Sequence, residues 1–255
     1  MFSVFEMEKL PSSILKKYME DAGDYAKKLL LPSLVPIYLR HDGLDIKTEQ
    51  IGTGILISIN NRCVLLTARH VFFGREFDED PFIRHIVFND RLRGLFELKD
   101  PTIYHDNYND LAALFVDEIG VERCLPLSLL STVEPTCRLI AIHGFLGRDF
   151  RREIASGALK PQPYFYINRR IKVETGYVGM LYPRRRNRST TTGMLVHTAV
   201  PEGLSGCPML DADRLAAGEL NVVGVFTDYK KESGSAFGES SLNALQLIAR
   251  MQPVI

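Results

Sequence analysis

From Pro36 onward the chain reads as a string of short apolar runs, each about the length of one β-strand, cut apart by Gly, Pro, Asn and Asp. Ile51–Ile59 and Cys63–Thr67 flank Asn60-Asn61-Arg62, which reads as a hairpin turn. His85–Phe88, Leu95–Leu98, Leu111–Val116, Arg138–Ile142, Ile171–Val173, Met194–Ala199 and Val222–Thr227 continue the pattern. Many short strands with turn signals between them build a sandwich or a barrel. No helical stretches alternate with the strands, which excludes a doubly wound α/β sheet. There is no repeat of fixed period and no low-complexity tract.

Helical periodicity is confined to the two ends. Over residues 12–31, Ile14, Tyr18, Ala22, Tyr25 and Leu29 recur at three- or four-residue spacing, with Leu15, Met19, Ala26 and Leu30 beside them. Ser12 or Ser13 can cap this helix and Pro32 ends it. Its wide apolar face must pack on the domain or on a partner. Leu242, Leu245, Ile248 and Met251 predict a C-terminal helix over Leu242–Met251, capped by Ser240 or Ser241.

Composition narrows the class. With 45% hydrophobic and 24% charged residues, the 255-residue chain can bury a sizeable core and is not disordered in character. No apolar run is long enough to predict a transmembrane helix, and the first residues lack a secretory pattern. Cys63, Cys124, Cys137 and Cys207 are widely spaced with no CxxC pair, so reduced thiols and a cytoplasmic location are expected. The net charge of zero hides a basic segment: Arg148–Arg188 holds 11 Lys or Arg against 3 Asp or Glu. Its densest run, Arg184-Arg185-Arg186-Asn187-Arg188, reads as a solvated loop or as a docking patch for an acidic partner. Without interleaved aromatics it gives no signal for nucleic acid.

Three segments carry chemistry. Leu66-Thr67-Ala68-Arg69-His70-Val71 is an apolar strand running into a histidine. Asn109-Asp110-Leu111-Ala112-Ala113-Leu114 places an aspartate at the mouth of an apolar strand. Gly203-Leu204-Ser205-Gly206-Cys207-Pro208 sets a serine in a tight glycine-rich turn. Each alone is weak, but together their order and spacing are tested at once.

Together they resemble the trypsin-like serine peptidases of the chymotrypsin fold, and most closely the non-disulfide bacterial, HtrA-like branch. That family carries Thr-Ala-x-His, as Thr67–His70 does, an Asp-Leu-Ala-Leu-type segment, as Asp110–Leu114 does, and Gly-x-Ser-Gly-Gly-Pro, matched by Gly203–Pro208 with Cys207 in place of the second glycine. The chain order His, Asp, Ser is the chymotrypsin order. The resemblance covers roughly residues 50–251 and implies an all-β fold of two six-stranded antiparallel barrels, roughly 37–130 and 131–240. A C-terminal helix completes a peptidase domain over 37–255, and residues 1–36 form an added N-terminal helical extension.

The implied activity is peptide-bond hydrolysis through an acyl-enzyme. Ser205 would be the nucleophile, His70 its general base, and Asp110 the group that holds the imidazole in one tautomer. Backbone amides of Gly203 and Ser205 would form the oxyanion hole. Ala199, Val200, Phe226, Thr227 and Tyr229 would line the specificity pocket, for a small or apolar P1 side chain. Leu204 stands where the family carries Asp or Asn, which rules out activation by pairing with a new N-terminus. Cys207 reads as a core residue. His41, His85, His105, His143 and His197 read as structural, and no cluster has metal-ligand spacing, so no metal or cofactor is expected. Besides a protein or peptide substrate, a regulatory partner is expected at the N-terminal helix or at Arg184–Arg188. The rival reading is a catalytically silent scaffold of the same fold.

Overall fold

The structure is a computed structural model that describes residues 12–41, 47–73, 86–90, 94–98, 102–106, 108–116, 118–132, 139–145, 163–173, 193–197, 203–230 and 235–251. The Arg184–Arg188 run, Ala199 and Val200 lie outside the described residues, as does the side chain of Tyr229.

The first sheet is built from β1 (Leu34–His41), β2 (Lys47–Ile59), β3 (Arg62–Ala68), β4 (Ile86–Asp90), β5 (Gly94–Glu97), β6 (Tyr104–Asp106), β7 (Leu111–Phe115) and β8 (Leu125–Pro126). Its order is β5-β4-β1-β2-β3-β7-β6, and β8 pairs with β2 in parallel beyond the end of the β1 ladder. It therefore has eight strands where six were expected. The β4–β5 hairpin extends the β1 edge, and the short β8 covers backbone of β2 that β1 leaves open. The second sheet is a closed six-stranded barrel in the order β10-β11-β14-β13-β12-β9. It comprises β9 (Leu139–Phe145), β10 (Pro163–Val173), β11 (Gly193–His197), β12 (Pro208–Asp211), β13 (Val222–Lys230) and β14 (Ser235–Ser240). The fold is all-β, and among the described residues it carries a long helix near each end, α1 (Ser12–Leu30) and α4 (Ser241–Met251), and two short α-helices, α2 (Arg69–Phe73) and α3 (Ala212–Ala216).

Local chemistry explains the joints. Asn60 and Asn61 have φ of 49° and 60°, the left-handed pair that a two-residue hairpin needs, and Ile59 pairs directly with Arg62. Helix α1 stops at Leu30, and Pro32 sits in a 3-10 turn that leads straight into β1.

Strands β2, β3 and β7 are apolar on both faces, and the alternation separates two cores. Leu56, Cys63, Leu65, Ala112 and Leu114 point into the first sheet's own core with Val35, Ile37 and Phe72. Ile55, Ile57, Val64, Leu66, Leu111 and Ala113 point the other way, into a cluster shared with Ala141, Phe145, Leu210, Val222 and Val225 of the second barrel. Ala22, Ala26 and Leu30 of α1 and Ala244, Leu247, Ile248 and Met251 of α4 close that shared cluster. The two sheets are thus joined along one continuous apolar seam.

Candidate active site

His70 is the second residue of α2, which begins where β3 ends. Opposite it, Asp110 closes the turn into β7, the neighbour of β3 in the sheet. Asp110 adopts φ of 44°, a left-handed conformation that Asp tolerates better than most residues. From there its carbonyl accepts a hydrogen bond from the Arg69 amide at 2.8 Å. One carboxylate oxygen accepts from the His70 amide at 3.1 Å, and the other lies 2.9 Å from His70 Nδ1. Against an ionised carboxylate, which can only accept, Nδ1 is the nitrogen that carries the hydrogen, and the lone pair of a neutral ring is then on Nε2. Both side chains are mostly buried, His70 at 15% and Asp110 at 12% exposure, so water competes weakly for the bond.

The side chain of Arg69 is buried with its guanidinium 4.7 Å from the Phe73 ring centroid. Burial lowers its pKa, and the charge of Asp110 opposes that shift. Arg69 thus contributes positive potential beside the Asp110 carboxylate.

Ser205 sits in the turn before β12. Gly203 and Gly206 on either side of it have φ of 96° and 90°. The turn closes on itself and on β13: Gly206 N–H donates to Phe226 O at 2.7 Å, Cys207 N–H to Leu204 O at 3.0 Å, and Phe226 N–H to Cys207 O at 2.9 Å. A Cβ on Gly206 would lie 2.0 Å from Thr67 Oγ1, 2.1 Å from Thr53 O and 3.0 Å from the Ala68 amide. Only glycine fits there, on grounds of both space and conformation.

That contact shows how the segments meet. The Ser205 turn rests on Thr53 of β2 and on Thr67-Ala68 of β3, the stretch that leads into His70. On its other side, the Ser205 carbonyl and the side chain of Val71, the residue after His70, both lie within 3 Å of the point where a Gly52 Cβ would stand. The Ser205 turn therefore lies against the middle of β2 and the end of β3, beside the start of α2 that carries His70. The remaining predicted residues that are described behave differently. Phe226 packs in the core of the second barrel with Leu204, Cys207 and Met209, and Thr227 is fully buried on the same strand.

The two departures from the family pattern are absorbed in the same core. Leu204 and Cys207 are buried, and Gly144 leaves room for both, since a Cβ there would come within 2.9 Å of each. Burial pushes the Cys207 thiol well above its ordinary range, which favours its neutral form and suits a core residue. One positional residue escaped the sequence reading. Thr53, in Gly52-Thr53-Gly54, hydrogen-bonds both to the Ser205 turn and to β9. A polar residue between two glycines inside an apolar strand was the signal that could have found it.

No family model matches the chain, and no curated protein matches it by sequence. Solved structures do match. A serine endoprotease from Yersinia pestis superposes with a TM-score of 0.55 at 16% identity, over 89% of this chain and 65% of that one. The HtrA-type protease AlgW, solved with a tripeptide, gives 0.57 at 17% identity, over 89% and 62%. The Rv3671c protease from M. tuberculosis in its active form gives 0.54 at 18% identity, over 91% and 86%. The chain spans less than two thirds of the first two proteins and most of the third. At these identities the likeness carries the fold alone: this chain has the chymotrypsin-type protease fold with a helix added at each end.

Proposed function

We propose that the chain is a serine endopeptidase that hydrolyses peptide bonds of protein substrates through an acyl-enzyme. The observation that carries this reading is the His70–Asp110 hydrogen bond together with the packing of the Ser205 turn against Thr67-Ala68 and Val71, the residues that flank His70 in the chain. In the proposed reaction, Ser205 Oγ attacks the scissile carbonyl as His70 Nε2 takes its proton. His70 returns that proton to the leaving amine, and water then repeats the sequence on the ester. Asp110 holds the imidazole in the tautomer that leaves Nε2 basic. The amides of Gly203 and Ser205 are the proposed oxyanion donors. A small or apolar P1 residue is the proposed preference. The proposed setting is cytoplasmic, which suits Cys63, Cys124 and Cys207 standing outside any disulfide among the described residues. A regulatory partner at α1 or at Arg184–Arg188 is part of the proposal.

Labelling with a fluorophosphonate probe tests it, in purified protein and in lysate. Wild type labels and Ser205→Ala does not. Asp110→Asn keeps the fold, because Asn also tolerates positive φ, but inverts the tautomer and slows labelling by about 10³–10⁴-fold. Labelling only in lysate identifies a partner-activated enzyme. Absence of labelling in both preparations refutes the peptidase in favour of the silent scaffold, and equal labelling of Ser205→Ala refutes the choice of serine.

A further inference from the structure

Thr53 is fully buried on β2, and its polar atoms all point to one purpose. Its amide donates to the Ser205 carbonyl at 2.8 Å. Its hydroxyl donates to the Gly203 carbonyl at 3.0 Å and accepts from the Phe145 amide of β9 at 3.1 Å. Its own carbonyl accepts from the Thr67 hydroxyl at 2.8 Å, on the strand that runs into α2 and His70. A hydroxyl has one hydrogen to give, and this one is given to the residue two before Ser205. The two carbonyls that Thr53 holds belong to Ser205 itself and to Gly203, two residues before it. Fixing both carbonyls fixes the Gly203–Leu204 and Ser205–Gly206 peptide planes, which flank the Leu204–Ser205 plane that carries the Ser205 amide; the Leu204 carbonyl of that middle plane is held in turn by the Cys207 amide at 3.0 Å.

We propose that Thr53 is a positioning residue for the nucleophile, using its hydroxyl to lock the Ser205 turn onto the middle of β2, beside the end of β3 that leads to His70. The proposal rests on the reading of Ser205 as nucleophile. Thr53 touches no reacting atom. It acts by holding the turn in the shape that the transition state requires, so its loss lowers the rate of attack at a formed site rather than the binding of substrate.

Two variants and two readouts test this. Thr53→Val keeps the shape and the backbone amide but removes the hydroxyl, leaving the Gly203 carbonyl and the buried Phe145 amide without it. Thr53→Ser keeps the hydroxyl and serves as the rescue. The first readout separates the rate constant of fluorophosphonate labelling from the fraction of protein that labels. The second is hydrogen exchange at the Gly206 and Cys207 amides. The expected result for Thr53→Val is a rate constant reduced about ten- to a hundredfold with an unchanged labelled fraction, and faster exchange at Gly206 and Cys207. Thr53→Ser returns both towards wild type. A wild-type rate constant in Thr53→Val overturns the proposal. So does a reduced labelled fraction at an unchanged rate constant, which marks a purely structural role. If wild type does not label, the nucleophile reading fails by itself, and exchange still decides the lock: unchanged protection at Gly206 and Cys207 in Thr53→Val overturns it, and faster exchange upholds it.

Discussion

Cys207 joins a chemical identity suited to catalysis with a position that forbids it. The thiol lies in the apolar core of the second barrel with Leu204, Met209 and Phe226, where a thiolate would have no solvation. Its pKa is accordingly raised well above the usual value by burial. Below the ordinary thiol range both the folded and the unfolded chain hold the proton, and pH does not act on stability through this group. Above about 8.5 the unfolded thiol ionises while the folded one cannot. The unfolded state then binds fewer protons, and stability falls by up to about 1.4 kcal/mol per pH unit until the folded pKa is reached. The urea midpoint of wild type should therefore drop further between about pH 8 and about pH 10 than that of Cys207→Ala, which has nothing to titrate. Equal drops in the two proteins would show that the thiol ionises in place. At this scale the sequence was informative where chemistry demands a residue type. In the proposed reaction His70, Asp110 and Ser205 have few substitutes, and each sits in a short segment that resembles a family motif. Thr53 had only the faint signature of a polar residue between two glycines, because the partners of its hydroxyl are backbone groups 150 and 92 residues away, and a backbone carbonyl or amide looks the same on every residue.

Helix α4 reaches into the first sheet through polar contacts. Asn243 uses its side-chain amide twice, donating to Glu239 Oε2 at 3.1 Å and to Asn109 Oδ1 at 3.3 Å. Asn109 precedes Asp110 and in turn donates to Asp106 Oδ2 at 3.0 Å, which also faces Arg250 Nη1 at 3.4 Å. Glu239, Asn243, Asn109 and Asp106 are all buried, so water cannot replace a lost partner. Replacing Asn243 by Leu takes a donor from a buried carboxyl group and from the residue next to Asp110. The expected cost is about 2–3 kcal/mol, measured by urea unfolding. A cost below about 0.5 kcal/mol, the range of ordinary surface changes, would show that the contacts are replaceable. Elements were legible to the extent that their own side chains set their period. The helix over 12–31 and the 60–61 hairpin are visible in sequence because spacing and turn chemistry are local. Strand β10 runs from Pro163 to Val173, yet only Ile171–Val173 reads as strand, since Asn168, Arg169 and Arg170 interrupt its apolar pattern. Strand β14, Ser-Ala-Phe-Gly-Glu-Ser, has little strand character of its own and is imposed by ladders to β11 and β13 on either side.

At the scale of the whole molecule, two sheets that could each have closed on a private core share a third one. The shared cluster draws Ile57 and Leu66 from the first sheet, Leu210 and Val225 from the second, Leu30 from α1 and Leu247 from α4. Added to it, the Tyr25 hydroxyl of α1 donates to the Gly218 carbonyl at the end of α3, where Gly218 at φ of 81° terminates that helix. The N-terminal helix is thereby fixed to the second barrel by a polar contact and to both sheets by apolar ones. Such a seam couples the unfolding of the halves, because opening either exposes side chains of the other. The chain should consequently melt in one transition, with calorimetric and van't Hoff enthalpies in agreement. Leu30→Ala supplies the sharper test. It empties a fully buried site in the shared cluster at a cost of about 2–5 kcal/mol. A single transition that moves as a whole to lower temperature is the expected scan. Two transitions, of which Leu30→Ala shifts only one, would mean that the barrels hold themselves together independently and that α1 serves one of them alone.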